Sequence, residues 1–367
     1  MIGNLPEELK AEILKRVPNE DLLRCSAVCK SLYSLLKSPS FIFDTHLRHL
    51  QASNSNPHLV IMDLRLGNGN YEMSFHDDNT EQFTECHLPP HFYSMSELCT
   101  VASCNGLLLF RPYSQYILHN PSICRSLRLP KQKLDGPSGC ELCGLGFDST
   151  TNDFKVLRLL CRSVVVQAEV YSVNAASWRN ITHITPQYEI PYHNIFKPQC
   201  IPFVNGALHM IVGDCSSNDK GRSLVLVFDV KDEIFREILL PPCLMNVSPV
   251  MLFVIAYRQS IAVVHIFDTN TDTNTAIRIW VMKEYGVFDS WTNLANMFNV
   301  ETIPAAFFLR KNGQLMIDSG VGHFLSYDFA TQRFHNLFTD LDAFSYMSAF
   351  TYVESLALFD TGNLIVE

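Results

Sequence analysis

Along the first fifty residues apolar positions recur at helical spacing. Leu9, Ile13, Leu14 and Val17 fall on one side of a predicted helix, with Lys10, Glu12, Lys15 and Arg16 on the other. Pro6 suits the first helical position and Pro18 stops the helix. Asn19 is placed to cap a second helix that carries Glu20 and Asp21 in its first turn and Leu22, Leu23, Ala27 and Val28 on its apolar face. Leu32, Leu35 and Leu36 mark a third, and Ser38-Pro39 opens a fourth stretch with Phe41, Ile42 and Leu47. Helices this short cannot bury all of that surface among themselves. Either the rest of the chain or a separate protein must cover the Leu5, Leu9, Leu22 and Leu23 side.

Beyond residue 57 the helical period gives way to short strands in a repeated hairpin. An apolar strand ends in an aromatic residue, a polar turn follows, and a second aromatic lies seven positions on: Tyr171 with Trp178, Phe228 with Phe235, Tyr327 with Phe334. Ser172, Asp229 and Asp328 follow the first aromatic of each pair. Phe75 with Phe83 and Trp280 with Trp291 read as looser copies, and Tyr116 to Pro130 keeps the strands without the aromatics. Between the hairpins lie the turns Asn105-Gly106, Asn152-Asp153, Asn205-Gly206, Arg258-Gln259 and Asn312-Gly313, about fifty residues apart. Some four strands per fifty residues is the spacing of a kelch-sized β-propeller, and the six units predict six blades. The first unit is one strand short, and the run from Ala349 to Leu356 is a strand without a hairpin, so the C-terminal strand is expected to complete the first blade. A two-sheet sandwich is the alternative fold.

The predicted class is therefore α+β and multidomain, with a three-helix module at 1–45, a linker at 46–57 and an all-β six-bladed propeller at 58–367. Composition fits a folded chain with a large core: 47% hydrophobic and 18% charged over 367 residues, at a net charge of −9. The helical module is nearly neutral, so the acidic balance sits in the β body, which favours basic protein partners over nucleic acid. No apolar run approaches a membrane span, and the start of the chain lacks a basic and apolar leader. The twelve cysteines are then expected as thiols in the cytoplasm or nucleus.

Two family resemblances sharpen this reading. Leu5-Pro6, Glu8-Leu9, Ile13-Leu14, Arg16-Val17-Pro18, Leu22-Leu23, Val28-Cys29-Lys30-Ser31 and Ser38-Pro39-Ser40-Phe41 resemble an F-box. That resemblance implies docking on the Skp-type adaptor of a cullin-RING ubiquitin ligase through Leu5, Pro6, Leu9, Ile13, Leu14, Leu22, Leu23, Val28, Cys29 and Leu32. Leu32 stands where the family commonly has Trp, which implies weaker packing at the adaptor. The body, through Ser103-Cys104-Asn105-Gly106-Leu107, His119-Asn120-Pro121-Ser122, Gly144-Leu145-Gly146-Phe147-Asp148, Val204-Asn205-Gly206-Ala207-Leu208-His209 and Tyr352-Val353-Glu354-Ser355-Leu356, resembles the plant F-box-associated domain. Within that family it looks most like S-locus F-box proteins, which recognise secreted ribonucleases of the pistil. The resemblance implies a receptor without catalytic residues or cofactor, holding a protein target for ubiquitination and proteasomal degradation.

The candidate chemistry leads nowhere else. Cys140-Glu141-Leu142-Cys143 lacks the second ligand pair of a zinc site, and Pro89-Pro90 keeps His87 and His91 off a common helix face, so no metal is expected. Asp148, Asp153, Asp229 and Asp328 fall at turns, where Asp stabilises the backbone. The loop surface remains. Arg111, Tyr113, Arg162, Tyr188, Tyr192, His193, Asp219 and Lys220 lie on predicted blade connections, where aromatic and charged side chains serve recognition. Because a closed propeller does not need the helices, their apolar face is left for a partner. The competing reading is a stand-alone binding or enzymatic propeller with the helices as a structural cap.

Overall fold

The computed structural model describes residues 5–52, 58–65, 70–76, 83–86, 100–111, 115–134, 141–162, 165–186, 188–190, 201–214, 222–268, 275–300, 306–310, 313–318, 324–338 and 346–359. Two compact units divide the chain. One comprises residues 1–130 with 348–367, the other 131–347.

The helical module begins with α1 (Glu7–Leu14), α2 (Asn19–Ser26) and α3 (Lys30–Leu36). Pro6 and Pro18 both take extended backbone just ahead of a helix, and each helix has two acidic residues in its first turn, where the dipole favours them. Asn19 does not cap: it is the first residue of α2, and its buried amide has no hydrogen-bond partner among the described residues. Ser38 does the work expected of it, accepting the Phe41 amide at 3.3 Å. A π-helical stretch, Ser40–Leu47, then runs directly into α4 (Arg48–Ala52). The module is therefore more than three helices, and the expected boundary at residue 45 falls inside a continuous helical segment.

The strands form six four-stranded antiparallel sheets. Five are each built from four consecutive strands. The sixth joins β1 (His58–Arg65), β2 (Asn70–His76) and β3 (Phe83–Cys86) to β24 (Tyr346–Tyr352) in the order β24-β1-β2-β3. The expected count of six blades is thus corrected to five built wholly from consecutive strands, and the remaining sheet is finished by the C-terminal strand, as the short first repeat implied.

In the first unit β4 (Thr100–Cys104), β5 (Leu107–Phe110), β6 (Ile117–Asn120) and β7 (Arg125–Arg128) make one meander. The Asn105-Gly106 turn has both residues at positive φ, which the tight hairpin needs. Asn120 bonds forward to the Ser122 amide, at the 3-10 turn Pro121–Ile123 between β6 and β7.

In the second unit the meanders are β8 (Glu141–Asp148) to β11 (Ser177–Asn180), β12 (Phe203–Val204) to β15 (Ile234–Leu239), β16 (Leu252–Tyr257) to β19 (Trp291–Val300), and β20 (Ala306–Leu309) to β23 (Arg333–Phe338). Between β8 and β23 lie β9 (Asp153–Arg162), β10 (Val165–Ser172), β13 (Ala207–Asp214), β14 (Arg222–Asp229), β17 (Ser260–Asp268), β18 (Thr275–Met282), β21 (Leu315–Asp318) and β22 (Phe324–Asp328). Apolar clusters fill the space between successive sheets: Leu157, Val170, Met210 and Phe228 in one, Ile211, Val225, Val254 and Val263 in the next, Val264, Ile277, Phe307 and Ile317 in a third. Sheets buried on both faces explain why these strands read as near-continuous apolar runs rather than as alternation.

The aromatic hairpin repeat has a common geometry. Tyr171 faces Trp178, Phe228 faces Phe235 and Tyr327 faces Phe334 across the last two strands, with ring centroids 5.3, 5.0 and 4.9 Å apart. Ala176, Glu233 and Gln332, each just before the outer strand, sit at positive φ. Asp229 and Asp328 accept two turn amides each, and Ser172 accepts one. The looser copies do not share this pairing. Phe75 lies opposite Thr84 and stacks on Tyr352, and Trp280 lies opposite Asn293 while Trp291 lies opposite Met282. Their aromatic residues are eight and eleven positions apart rather than seven, so the register no longer brings the rings together.

Candidate functional site

The ten residues expected to hold an adaptor divide by burial. Leu14, Leu22 and Leu32 belong to a closed core with Leu36, Phe41 and Ile42, and that core also takes Ile123 from the β6–β7 turn and Leu356 from the C-terminal segment. Leu5 and Leu23 are half-buried. Pro6, Leu9, Ile13, Val28 and Cys29 remain exposed, with Leu9, Ile13 and Val28 at 52%, 45% and 74%. Leu9 and Ile13 are one helical turn apart on α1, and Val28 stands in the turn after α2.

This corrects two expectations. The helices do not leave the whole Leu5, Leu9, Leu22 and Leu23 side uncovered, because Leu22 is inside and the strand body supplies part of its cover. Nor is that apolar face left entirely for a partner, because the strand-bearing part of their own unit shares its core through Ile123 and Leu356. Leu32, where the family has Trp, is also an internal packing residue, so its shorter side chain acts on the module's core and not on the exposed patch. Tyr33 beside it is 45% exposed, sits 6.0 Å from the Phe359 ring and carries Lys37 over its face. Its surface position was not singled out from sequence, since periodicity alone does not say which flank of an apolar stripe meets a neighbour.

Charge on the module lies in short-range pairs: Lys15 with Glu12 at 2.7 Å, Arg24 with Asp21 at 2.9 Å and Arg48 with Asp44 at 3.0 Å. Exposed pairs of this kind are screened by solvent and contribute little to stability. The Lys15 hydrogen bond draws the Glu12 carboxyl below its ordinary value. His46 is internal, and burial holds it neutral with a pKa down to about 4.

Of the loop residues expected to recognise a target, Arg111 is half-buried at the end of β5, and Arg162 ends β9. In a meander the β5–β6 connection and the β6–β7 turn lie at opposite ends of the sheet. Arg111 therefore stands at the end away from Ile123 and the helices. Tyr188 is corrected: it is buried, and its hydroxyl donates to Glu237 while Glu189 zips onto Gly213 through two backbone bonds of 2.8 and 2.9 Å. An aromatic side chain with an apolar blade beneath it gains more from burial than from exposure. Tyr113, Tyr192, His193, Asp219 and Lys220 lie outside the described residues, as do Cys140 and the His87 to Cys99 segment.

The buried charges of the second unit are structural. Glu169, fully buried, takes Arg158 at 2.5 Å and the amides of Lys133 and Leu134, while Arg158 also reaches Glu141 at 3.1 Å. Burial opposes ionisation of Asp148, yet hydrogen bonds from Thr150 and Thr151 outweigh it and hold the carboxyl at about 2. Among the described residues no group of His, Cys, Asp and Glu is arranged to hold a metal ion, and no helix is long and apolar enough to cross a membrane.

A helical module with an exposed apolar edge, followed by repeated four-stranded sheets, defines the class: an F-box protein with a propeller body. The chain belongs to the family of the F-box associated beta propeller domain, which matches residues 57–359, and an F-box domain matches residues 2–44. It is 25% identical over 336 residues to the F-box protein CPR1 of Arabidopsis thaliana, spanning 84% of this chain and 76% of that one. It is also 25% identical over 352 residues to the F-box/kelch-repeat protein At3g23880 of the same plant, spanning 90% of each. Among solved structures it is similar to TolB from Acinetobacter baumannii, at 9% identity and a TM-score of 0.49, over 85% of this chain and 72% of that one.

Proposed function

We propose that this protein is the substrate-recognition subunit of a Skp-cullin-F-box ubiquitin ligase, with Leu9, Ile13, Val28 and their exposed neighbours docking the adaptor. The observation that carries this reading is that these three residues stay exposed while the core beneath them is already filled by Leu14, Leu22, Leu32, Ile123 and Leu356. An apolar edge that its own chain does not use is a partner surface. The propeller connections hold a protein target, and turnover follows from proximity: the receptor raises the target's local concentration beside the ubiquitin-charged enzyme without side-chain chemistry of its own. The site of action is the cytoplasm or nucleus, as the thiol-rich composition supports, and imaging of a fluorescent fusion tests that.

Deleting residues 1–45 would also remove core packing, so the sharper test is Leu9→Asp with Ile13→Asp. Loss of adaptor capture with unchanged thermal unfolding supports the receptor. Retained capture sinks it and leaves the stand-alone propeller with a helical cap. Affinity purification with the same double variant accumulates undegraded targets. The resemblance to S-locus proteins makes pistil ribonucleases the narrower target, and failure of the full chain to retain them removes that target alone.

A further inference from the structure

We infer that the open edge of β19 and the sheet face beside it form a second protein-recognition surface, which takes an extended segment bearing carboxylate side chains. The outer strands of the other sheets are short: four residues each in β3, β7 and β11, and six each in β15 and β23. β19 has ten. It ends its sheet with no strand beyond it, so one row of its backbone N–H and C=O groups is unpaired among the described residues. Long open edges are sites where an incoming chain adds a strand, and proteins without such a use shorten or cover them.

The side chains next to that edge supply the selectivity. His265, Arg278 and Asn296 are direct cross-strand partners on β17, β18 and β19, and so share one face. In the adjoining row Val263 is buried in the core, and Trp280 and Asn293 continue outward toward the edge. The Arg278 guanidinium lies over the Phe267 ring at 4.5 Å, with the His265 ring 5.0 Å from the same Phe. Arg278 is exposed and makes no hydrogen bond or ion pair with the described residues, so a preset planar cation faces solvent. Trp280 and Phe267 are only half-buried, and Phe298 farther along β19 is 56% exposed. None of these residues is acidic, although the chain carries a net charge of −9. Arg278 is the one charged side chain in this set and lies against aromatic rings, which suits a carboxylate and opposes a basic segment.

Two register shifts break the β18–β19 ladder, between Thr275 and Ile277 and between Ile279 and Trp280. Bulges re-aim side chains and recur next to functional sites. An added strand would lie one strand spacing, about 5 Å, beyond β19 and two from Arg278, within joint reach of a Glu side chain and the guanidinium. The proposal does not depend on the ligase reading.

The test titrates full-length protein into a fluorescein-labelled ten-residue peptide of alternating Glu and Val. Its Lys/Val and backbone N-methylated Glu/Val counterparts are the controls. Saturable binding of Glu/Val is expected, at least about tenfold weaker for each control, with Arg278→Glu reversing the preference to Lys/Val. Equal binding to the parent and Arg278→Glu proteins, or no saturable binding, overturns the surface. Tight binding that N-methylation leaves unchanged overturns strand addition. Arg278→Gln replaces the charge reversal if thermal unfolding shows that Arg278→Glu does not fold.

Discussion

Asn120 and Ser355, far apart in the chain, are joined through one buried amide. The Asn120 Nδ2 donates to the Ser355 carbonyl at 3.0 Å and to the Ala357 carbonyl at 2.7 Å, while its Oδ1 accepts from the Ser122 amide and the Tyr352 hydroxyl. The β6–β7 turn and the C-terminal segment are thereby locked together, and the next residues in each direction, Ile123 and Leu356, enter the helical core. Replacing Asn120 by Ala strands two buried carbonyls. The expected loss is about 1–3 kcal/mol, read by denaturant unfolding of the full chain. Adaptor affinity is expected to fall with it, because the lock supports the core under α2. An unchanged midpoint would show that the contact carries no stability.

Glycine tolerance separates backbone strain from crowding. Gly106 and Gly206 occupy equivalent turns at φ +84° and +78°. A Cβ on Gly106 would stand 2.0 Å from the Ser355 Oγ, while one on Gly206 meets nothing within 4 Å. Gly206→Ala therefore bears only the left-handed backbone penalty, about 1–2 kcal/mol. Gly106→Ala bears that and displaces the C-terminal segment. Thermal unfolding of the two variants should rank them in that order, and equal shifts would contradict the close approach.

Residues of the helical module predicted together from sequence should part in experiment. Leu22→Ala empties a filled core and should cost about 2–5 kcal/mol, lowering the unfolding midpoint. Val28→Asp, at an exposed turn, should leave that midpoint in place and cut adaptor capture. The same phenotype from both would mean that the module has no division between core and docking edge.

Glu169→Ala leaves Arg158 charged, buried and short of its closest anion. Breaking a buried pair from one side costs about 3–5 kcal/mol, and the 131–134 segment loses the acceptor for two amides. Hydrogen exchange should show Lys133 and Leu134 deprotected in this variant before the sheets open.

Acid should destabilise both units. Burial holds His46 and His209 neutral, each with a pKa pushed down to about 4, against an unfolded value near 6.5. Below that unfolded value the unfolded chain takes up protons that the folded chain refuses. Stability from these sites is complete above about pH 6.5 and is lost as pH falls toward 4. Denaturant midpoints measured across that window should fall, and less steeply in His209→Gln; a flat profile would rule out the histidines as the cause.

Local periodicity was enough to read the helices, the hairpins and their repeat. Helical spacing, Asn-Gly turns and paired aromatics are properties of neighbouring residues, and the Tyr171–Trp178, Phe228–Phe235 and Tyr327–Phe334 pairs formed where the pattern put them. The short first repeat likewise announced a C-terminal strand to complete its sheet, read at 349–356 and found at 346–352. Tertiary packing decided the rest. Leu22 and Leu9 look alike on a helical wheel, and only the arrival of Ile123 and Leu356 makes one core and the other surface. Tyr188 reads as a recognition residue until a blade is found beneath it. The open, bulged edge of β19 and the solvent-facing cation of Arg278 have no sequence signal, because edge, register and burial arise when distant strands meet.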